Sequence, residues 1–368
     1  MSGAVSGTAD AGWMSSLISD AATVRQKLET LSNQASTGLV GTTYAGLGAG
    51  ASVSLDLNPE IANLQTWQAN INQVTGSMAV TQTAMTQLQS IASSFESQLN
   101  TVDSSAVGLD TANVDVLAAS AQSALQEVAG LLDTTDGNTY VFGGADSTNP
   151  PVPDPSQILT SGLYTQINSA VGALATNGAT ATAASTLTIA SSNDPATSPF
   201  SAYMSQPAAT LQAGTPVVQV GQGQTVQVGL LASANSAVVS GGTSTTGSYM
   251  RDLMRALATI GSMSTAQATS DGTDFQGLVL DTTASLQGVV TAMAGDAGVL
   301  GNTQTALTAT QTQLSDTQTA LTTQVSGVQD VDMAQTLSNL TLVQTQMQSS
   351  YQLIAGMSDL SLVKFLPT

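Results

Sequence analysis

Few side chains in this sequence have the type and spacing that chemistry requires, and carboxylates supply the first candidates. Asp133 and Asp136 lie close to Asn138, and oxygen ligands of this kind can hold Ca²⁺. The spacing departs from the EF-hand pattern, and no Glu closes the set. A turn that ends a helix is therefore the simpler interpretation, and no metal site is expected.

A glycine-rich segment, Gly46-Leu47-Gly48-Ala49-Gly50, is the second candidate, because it is similar to part of a dinucleotide-binding loop. It lacks the preceding strand, the βαβ unit and the third correctly placed glycine that such a loop needs. A flexible connector between helices explains it better. The sequence therefore predicts no catalytic residues and no cofactor.

The composition excludes several other classes of function. The 368 residues include no Cys and no His, which removes disulfides, thiolate or imidazole metal sites and every nucleophile–imidazole relay. Only 5 Lys and Arg oppose 24 Asp and Glu, so the net charge is −19. No basic residue lies between Lys27 and Arg251. Because no patch could neutralise a run of phosphates, nucleic-acid binding is excluded.

The apolar residues are suited to helix seams rather than to a membrane or one large core. Residues 1–12 lack the basic and apolar regions of a secretory signal, and no stretch is long and apolar enough to span a bilayer. We therefore expect no membrane partner. Aromatic residues make up only 4%, so narrow seams between helices are the most economical way to bury the apolar side chains.

Prolines divide the chain into long flanks and a broken middle. Eight of the 10 prolines lie between Pro150 and Pro216, and a helix interior does not accept proline. Within this middle segment, β-branched residues predict a strand over 186–189 and a hairpin over 217–228, around the turn Gly221-Gln222-Gly223-Gln224. The sequence predicts a small β domain inserted between helices.

Heptad spacing, in which apolar residues recur at alternating steps of four and three, predicts the terminal helices. The first seam consists of Leu17, Ala21, Val24, Leu28, Leu31 and Ala35. The last consists of Met333, Leu337, Leu340, Gln344, Met347, Tyr351 and Ile354, followed by an apolar end that includes Leu360 and Leu362. We expect both seams to need a partner, since isolated helices of this composition are marginal in water.

Four further helices are predicted between these seams, and the one that resumes near Ser248 carries Leu253, Met254, Leu257 and Ile260. One begins at Asn58-Pro59-Glu60, where an N-cap side chain precedes proline at the first helical position. Another covers about 111–133 and stops at the turn Asp136-Gly137-Asn138. The longest covers 281–328, and its seam runs from Leu286 to Val328 without a slip.

Two sets of polar residues remain open to interpretation. Gln304, Gln311 and Gln318 recur every seven residues on the longest seam. They either permit shifts of register between subunits or, as we favour, fix the register at a cost in stability. Arg251 and Arg255 lie one helical turn apart, and we expect them to form exposed ion pairs of small energetic value at a domain or subunit boundary.

The predicted fold is mainly α, an elongated antiparallel coiled-coil rod of N- and C-terminal helices with an inserted small β domain. The expected divisions are an N-terminal assembly helix over 1–45, rod halves over 46–149 and 246–328, a β-rich outer domain over 150–245 and a C-terminal assembly helix over 329–368. The expected assembly interface consists of Leu17, Val24, Leu28, Leu31, Leu337, Leu340, Met347, Tyr351, Ile354, Leu360 and Leu362.

This order of elements, together with three local motifs, resembles the flagellin superfamily. The first motif is the segment from Asp136 to Gly144, and the second is the hairpin region from Val220 to Leu230. The third comprises Asp330 to Ala334, Gln346, Ser349 to Gln352 and Leu360 to Leu362. This C-terminal set is more similar to hook–filament junction subunits than to filament flagellin, whose corresponding helix is richer in Ala and lacks the Tyr. Residues 39–43 depart from the family because they are uncharged.

The resemblance implies a secreted, extracellular structural subunit, exported unfolded through the flagellar type III channel with the help of an export chaperone. It would form a ring of identical subunits at the hook–filament junction, between hook-associated protein 1 and flagellin. Filament flagellin is the alternative within the family. An enzyme or carbohydrate-binding module in the insert is the other alternative, but its few carboxylates and aromatic residues are scattered.

Overall fold

The computed structural model describes residues 6–103 and 113–359, and most of these residues are helical. The chain forms two compact units. Unit 1 combines both ends of the chain, 1–65 and 314–368, whereas unit 2 is the continuous stretch 66–313. The predicted mainly α fold class with a small β portion is confirmed.

Ten α-helices and two short hairpins lie within the described residues. The helices are α1 (Ser6–Thr37), α2 (Gly50–Asp103), α3 (Val114–Leu132), α4 (Gly162–Gly172), α5 (Leu174–Ala190), α6 (Ala208–Ala213), α7 (Tyr249–Ile260), α8 (Thr265–Ser270), α9 (Gly272–Gln329) and α10 (Met333–Asp359). The strands are β1 (Thr135–Asp136), β2 (Thr139–Tyr140), β3 (Val217–Gly221) and β4 (Gln224–Gln227). Short 3₁₀ helices cover Tyr44–Leu47 and Pro155–Thr160.

Helix α2 begins earlier than its start signal predicted. Pro59 lies inside the helix rather than at its first turn, and Asn58 donates its side-chain amide to Ser54 Oγ at 3.0 Å instead of capping a helix end. Gly50 is the first residue of the helix, and a Cβ there would lie only 2.9 Å from the Cβ of Val328, so the position favours glycine. The helix starts before the signal at Asn58, and it tolerates the lost N–H of Pro59.

Helix α9 confirms the longest predicted pattern and extends it at its N-terminal end. Every residue of the predicted seam from Leu286 to Val328 is buried or half-buried. One seam glutamine, Gln311, donates from Nε2 to Asn72 Oδ1 on α2 at 2.6 Å. This pairing is what the register-fixing interpretation expects, because a specific partner exists for the polar layer.

Helix α3 ends where the sequence predicted. Its predicted start near Thr111 lies outside the described residues. Beyond its end, Thr135 and Asp136 pair with Tyr140 and Thr139 across the predicted turn. Gly137 occupies this turn with φ of +61°, a conformation that favours glycine.

The middle segment contains far less β structure than predicted. The β3–β4 hairpin is confirmed, with Val218 opposite Val226, and Asn70 of α2 donates to the carbonyl of Gln219 at 2.8 Å. The predicted strand over 186–189 is wrong, because these residues belong to α5. Thr182, Thr186 and Ala190 are all buried there, and a spacing of four is helical rather than β.

Helix α7 forms the centre of the unit 2 core, and all of its residues are buried. It packs against α3, α4 and α5, and the largest side chains that are fully buried in this core include Tyr249, Phe142 and Phe275. Because α7 is covered on every side, its polar side chains depend on partners inside the protein, and Arg255 Nε and Thr259 Oγ1 have none among the described residues.

The expectation of exposed arginine pairs is wrong, because Arg251 and Arg255 are 7% and 2% exposed. Arg251 donates from Nη1 to the carbonyls of Ala190 and Ser192, both at 3.0 Å. It also donates from Nε to the carbonyl of Ser233 at 3.1 Å. The fork of five donors on an arginine lets one side chain join these separate backbone segments.

Of the two arginines on α7, Arg255 is the one that forms an ion pair with a carboxylate. Its Nη1 lies 3.5 Å from Asp281 Oδ2 on α9, and its Nη2 donates to Ser244 Oγ at 2.7 Å. Burial lowers the pKa of the Arg255 guanidinium, whereas Asp281 and Asp252 act in the opposite direction. The guanidinium of the pair is therefore buried in unit 2, whereas the Asp281 side chain is 28% exposed.

Candidate assembly interface

Helices α1 and α10 of unit 1 pack against each other and run antiparallel. The direction follows from the end of α1, where Leu39 and Asp330 form an antiparallel bridge just before α10 begins. Val40 donates to the carbonyl of Gln329 at 2.7 Å, and Val331 donates to that of Gly38 at 2.9 Å. The pairing of α1 with α10 thus begins at an antiparallel, hydrogen-bonded contact between residues 38–40 and 329–331.

The predicted seam of α1 lies on the less exposed face of the helix. Leu17, Val24, Leu28 and Leu31 are all half-buried, as are Ala21 and Ala35. The flanking positions are exposed, among them Arg25 and Glu29, which form an exposed ion pair at 3.4 Å. The seam residues are covered only in part, so they retain apolar surface at the edges of the stripe.

Helix α10 presents a different stripe to the interior of unit 1 than the sequence indicated. The buried or half-buried positions are Thr336, Leu340, Val343, Met347, Ser350 and Ile354. Of the residues predicted for the interface, Leu340, Met347 and Ile354 lie on this stripe. Leu337 and Tyr351 do not, with 49% and 52% of their surface exposed. Leu360 and Leu362 lie outside the described residues.

The missed residues are Thr336, Val343 and Ser350. Two heptad phases contain Leu340, Met347 and Ile354. They differ only in whether the other seam residue lies three or four positions before each of these three. The apolar side chain of Val343, against the polar Gln344 beside it, is the signal that could have identified the observed phase.

Large apolar side chains are exposed on both sides of this stripe. Met333, Leu337 and Tyr351 fall on one side of α10 at helical spacing and form what we call the first flank. Leu342 and Leu353 form the second flank on the other side. These five side chains are between 41% and 61% exposed. Apolar surface displayed along two sides of one helix is typical of a protein–protein interface.

The segments that invited a chemical interpretation have structural roles. Residues 46–50 include the end of a 3₁₀ helix, which Thr43 caps by accepting from the N–H of Gly46, and the first residue of α2. Asp133 accepts the N–H of Val152 at 2.9 Å, and burial raises the pKa of its carboxyl to about 6. Within residues 6–103 and 113–359, no three metal-ligating side chains come together.

No helix in the described part of the chain has both the length and the apolar character of a bilayer span.

Two protein-family models match the chain. The bacterial flagellin N-terminal helical region matches residues 14–146, and the bacterial flagellin C-terminal helical region matches residues 283–366. Together they cover more than half of the chain, including α1 from residue 14 onwards and the whole of α10. Among curated proteins, no sequence matches.

Proposed function

We propose that this chain forms the junction between hook and filament in the bacterial flagellum. The premise is that the chain belongs to the flagellin superfamily and is a structural subunit of the flagellum. The superfamily is structural rather than enzymatic, and its members self-assemble into extracellular flagellar polymers. The proposed role is that of hook-associated protein 3, placed between hook-associated protein 1 and flagellin.

The observation that carries this proposal is the C-terminal helix. The resemblance to junction subunits rests on Asp330 to Ala334, Gln346 and Ser349 to Gln352. Tyr351, the residue that this resemblance sets against filament flagellin, is half exposed on the first flank. An aromatic residue on an open apolar surface is the type of side chain that contributes most to a protein contact.

The proposed interface combines two layers. Leu17, Val24, Leu28 and Leu31 on α1, with Leu340, Met347 and Ile354 on α10, join the two ends of one chain. Leu337 and Tyr351, continued by Leu360 and Leu362, contact neighbouring subunits in a ring. Full burial of such a side chain contributes roughly 1.5–3 kcal/mol, which offsets part of the entropy lost on association.

The absence of cysteine agrees with export as an unfolded chain, because no disulfide has to form before or after passage. In this proposal an export chaperone accompanies the chain until then.

Deletion of the gene followed by electron microscopy tests the role. A junction subunit is needed to hold flagellin, so cells without it should carry hooks without filaments and release flagellin into the medium. Complementation with the intact gene should restore filaments. Cells that lack filaments and also lack released flagellin would instead identify the chain as the filament subunit.

Filament flagellin is the second candidate, since the family models match either kind of subunit. The amount of protein separates the two. A filament subunit dominates a preparation of sheared flagella, whereas a junction subunit is a minor component. Quantitative mass spectrometry of such a preparation, normalised to the hook protein, gives the answer without a mutant.

A further inference from the structure

Asn177 and Gly178 form the one Asn-Gly pair in the sequence, and they lie at a break within α5. Gly178 adopts φ of +77° and ψ of 167°, so the helical backbone is interrupted at this residue. The side chain of Asn177 is exposed and makes no hydrogen bond with any described residue. We propose that this pair is a site of spontaneous modification, at which Asn177 loses its side-chain amide.

The chemistry needs only the chain itself and water. The backbone nitrogen of Gly178 attacks Cγ of Asn177, a new C–N bond closes a five-membered ring, and the Cγ–Nδ2 bond breaks with release of ammonia. Water then opens the ring at either carbonyl, which leaves an aspartate or an isoaspartate. Glycine favours the attack because no Cβ hinders the approach of its nitrogen.

The local structure supports this site over other asparagines. Asn193 holds Arg251 by a hydrogen bond of 2.7 Å, and Asn149 donates to Asp146 at 2.7 Å, so their amides are held by partners. Asn168 is exposed like Asn177, but it lies inside α4 and is followed by serine. Only Asn177 combines exposure, a free side chain and a following glycine outside regular helix geometry.

The modification would act on the start of the second part of α5. Asp274 accepts the N–H of Ala179 at 3.1 Å, and its Oδ1 lies 3.5 Å from the point where a Cβ on Gly178 would lie. An isoaspartate lengthens the main chain by one carbon just before this contact and adds a carboxylate beside Asp274. We therefore expect the hydrogen bond between Ala179 and Asp274 to be lost in the modified chain.

Ageing of the folded full-length chain tests the proposal. Protein is kept in warm, mildly alkaline buffer, either native or in urea, and samples are digested for peptide mass analysis and for labelling with isoaspartyl methyltransferase. We expect progressive loss of the Asn177 amide in the native sample, at a rate close to that in urea, while Asn168 stays intact in the native sample. Retention of the Asn177 amide in the native chain while the urea sample converts would overturn the proposal.

Two variants make the result specific. Asn177→Gln forms the ring far less readily, so its peptide should carry no methyltransferase label, and an unchanged circular dichroism spectrum would show that it folds. Label that persists in this variant, at Asp136-Gly137 or Asp271-Gly272, would assign the modification elsewhere and contradict the proposal. Asn177→Asp supplies the aspartate product and calibrates the peptide analysis.

Discussion

The hydroxyl of Tyr249 on α7 lies 2.8 Å from Oδ2 of Asp296 on α9, and both residues are buried. The same carboxylate accepts the backbone N–H groups of Ser236, Ala237 and Val238 at 3.0–3.2 Å. One buried acid thus joins two helices and a loop of unit 2. Four donors compensate for the desolvation that burial of a carboxylate entails.

Tyr249→Phe removes one of these donors without changing the size of the ring. We expect the free energy of unfolding of unit 2 to fall by about 1–3 kcal/mol, because a buried acceptor loses a hydrogen bond. Urea titration followed by circular dichroism measures the loss. Tyr140→Phe is the matched control, since Tyr140 is only half-buried and its hydroxyl donates to no described residue; an equal loss in both variants would refute the role of Asp296.

The same tyrosine gives a prediction at high pH. Burial, with Asp296 beside it, raises the pKa of Tyr249 well above its ordinary value of 10.0. Above pH 10 the unfolded chain therefore releases this proton while the folded chain retains it, so stability falls as the pH rises. Tyr249→Phe should show a shallower decline between pH 10 and 11 than the unmodified chain, as measured by thermal unfolding at each pH.

Asp133→Asn should stabilise the end of α3 at neutral pH. Burial raises the pKa of the Asp133 carboxyl from its ordinary value of 3.8 to about 6, so the folded state favours the protonated form. Stability is then full below pH 4 and decreases as the pH rises through 6. The asparagine keeps an oxygen for the N–H of Val152, and we expect a gain of about 1–2 kcal/mol at pH 7.

The gain from Asp133→Asn should vanish at pH 4, where the native carboxyl already carries its proton. Melting temperatures at the two pH values provide the test. Asp154→Asn is the control, because Asp154 is exposed and should show no such dependence. A gain that is equal at both pH values would mean that the charge of Asp133 is not responsible.

Arg251→Ala should be far more costly than its counterpart on α1. It leaves the carbonyls of Ala190, Ser192 and Ser233 without their donor, and we expect a loss of about 2–4 kcal/mol. Arg25→Ala breaks only an exposed ion pair, and its loss should stay below about 0.5 kcal/mol. Differential scanning calorimetry of both variants makes the comparison, and similar losses would contradict the buried role of Arg251.

Two classes of α10 variant separate assembly from folding. Leu337→Ser and Tyr351→Ser change exposed residues of the first flank, so the free subunit should keep its helicity while its incorporation into flagella falls. Val343→Ser changes a buried residue, 7% exposed, and should lower the melting temperature of the free subunit. Sheared flagella analysed by immunoblot, beside circular dichroism of the free protein, give both readouts.

The contrary outcome for these variants is also clear. If Leu337→Ser and Tyr351→Ser assemble as well as the unmodified chain, the first flank is not the contact between subunits.

Periodicity in the sequence predicted where the long helices lie, but it did not always predict which face of a helix is buried. The buried face of α9 could be predicted because its apolar pattern repeats over many heptads, and so many repeats are consistent with only one phase. The buried face of α10 could not be predicted in this way, because Leu340, Met347 and Ile354 belong to two adjacent stripes. Only the partner helix decides between Val343 and Gln344.

Short or charged patterns were the least informative. Four residues from Thr186 to Ile189 satisfy a strand pattern, yet contact with α7 makes them helical, because tertiary packing overrides local propensity. Arg251 and Arg255 looked exposed because arginine usually is. Their partners are backbone carbonyls and the side chains of Asn193, Thr186, Ser244 and Asp281, all outside the helix that carries the arginines, so no local pattern can show them.

The antiparallel pairing of α1 with α10 has a consequence for the order of events during synthesis. Helix α1 ends at Thr37, whereas its partner begins only at Met333, so the ribosome must translate almost the entire message before the two can meet. All of unit 2 has already been translated by residue 313. A nascent polypeptide therefore keeps α1 without this partner until α10 has been translated.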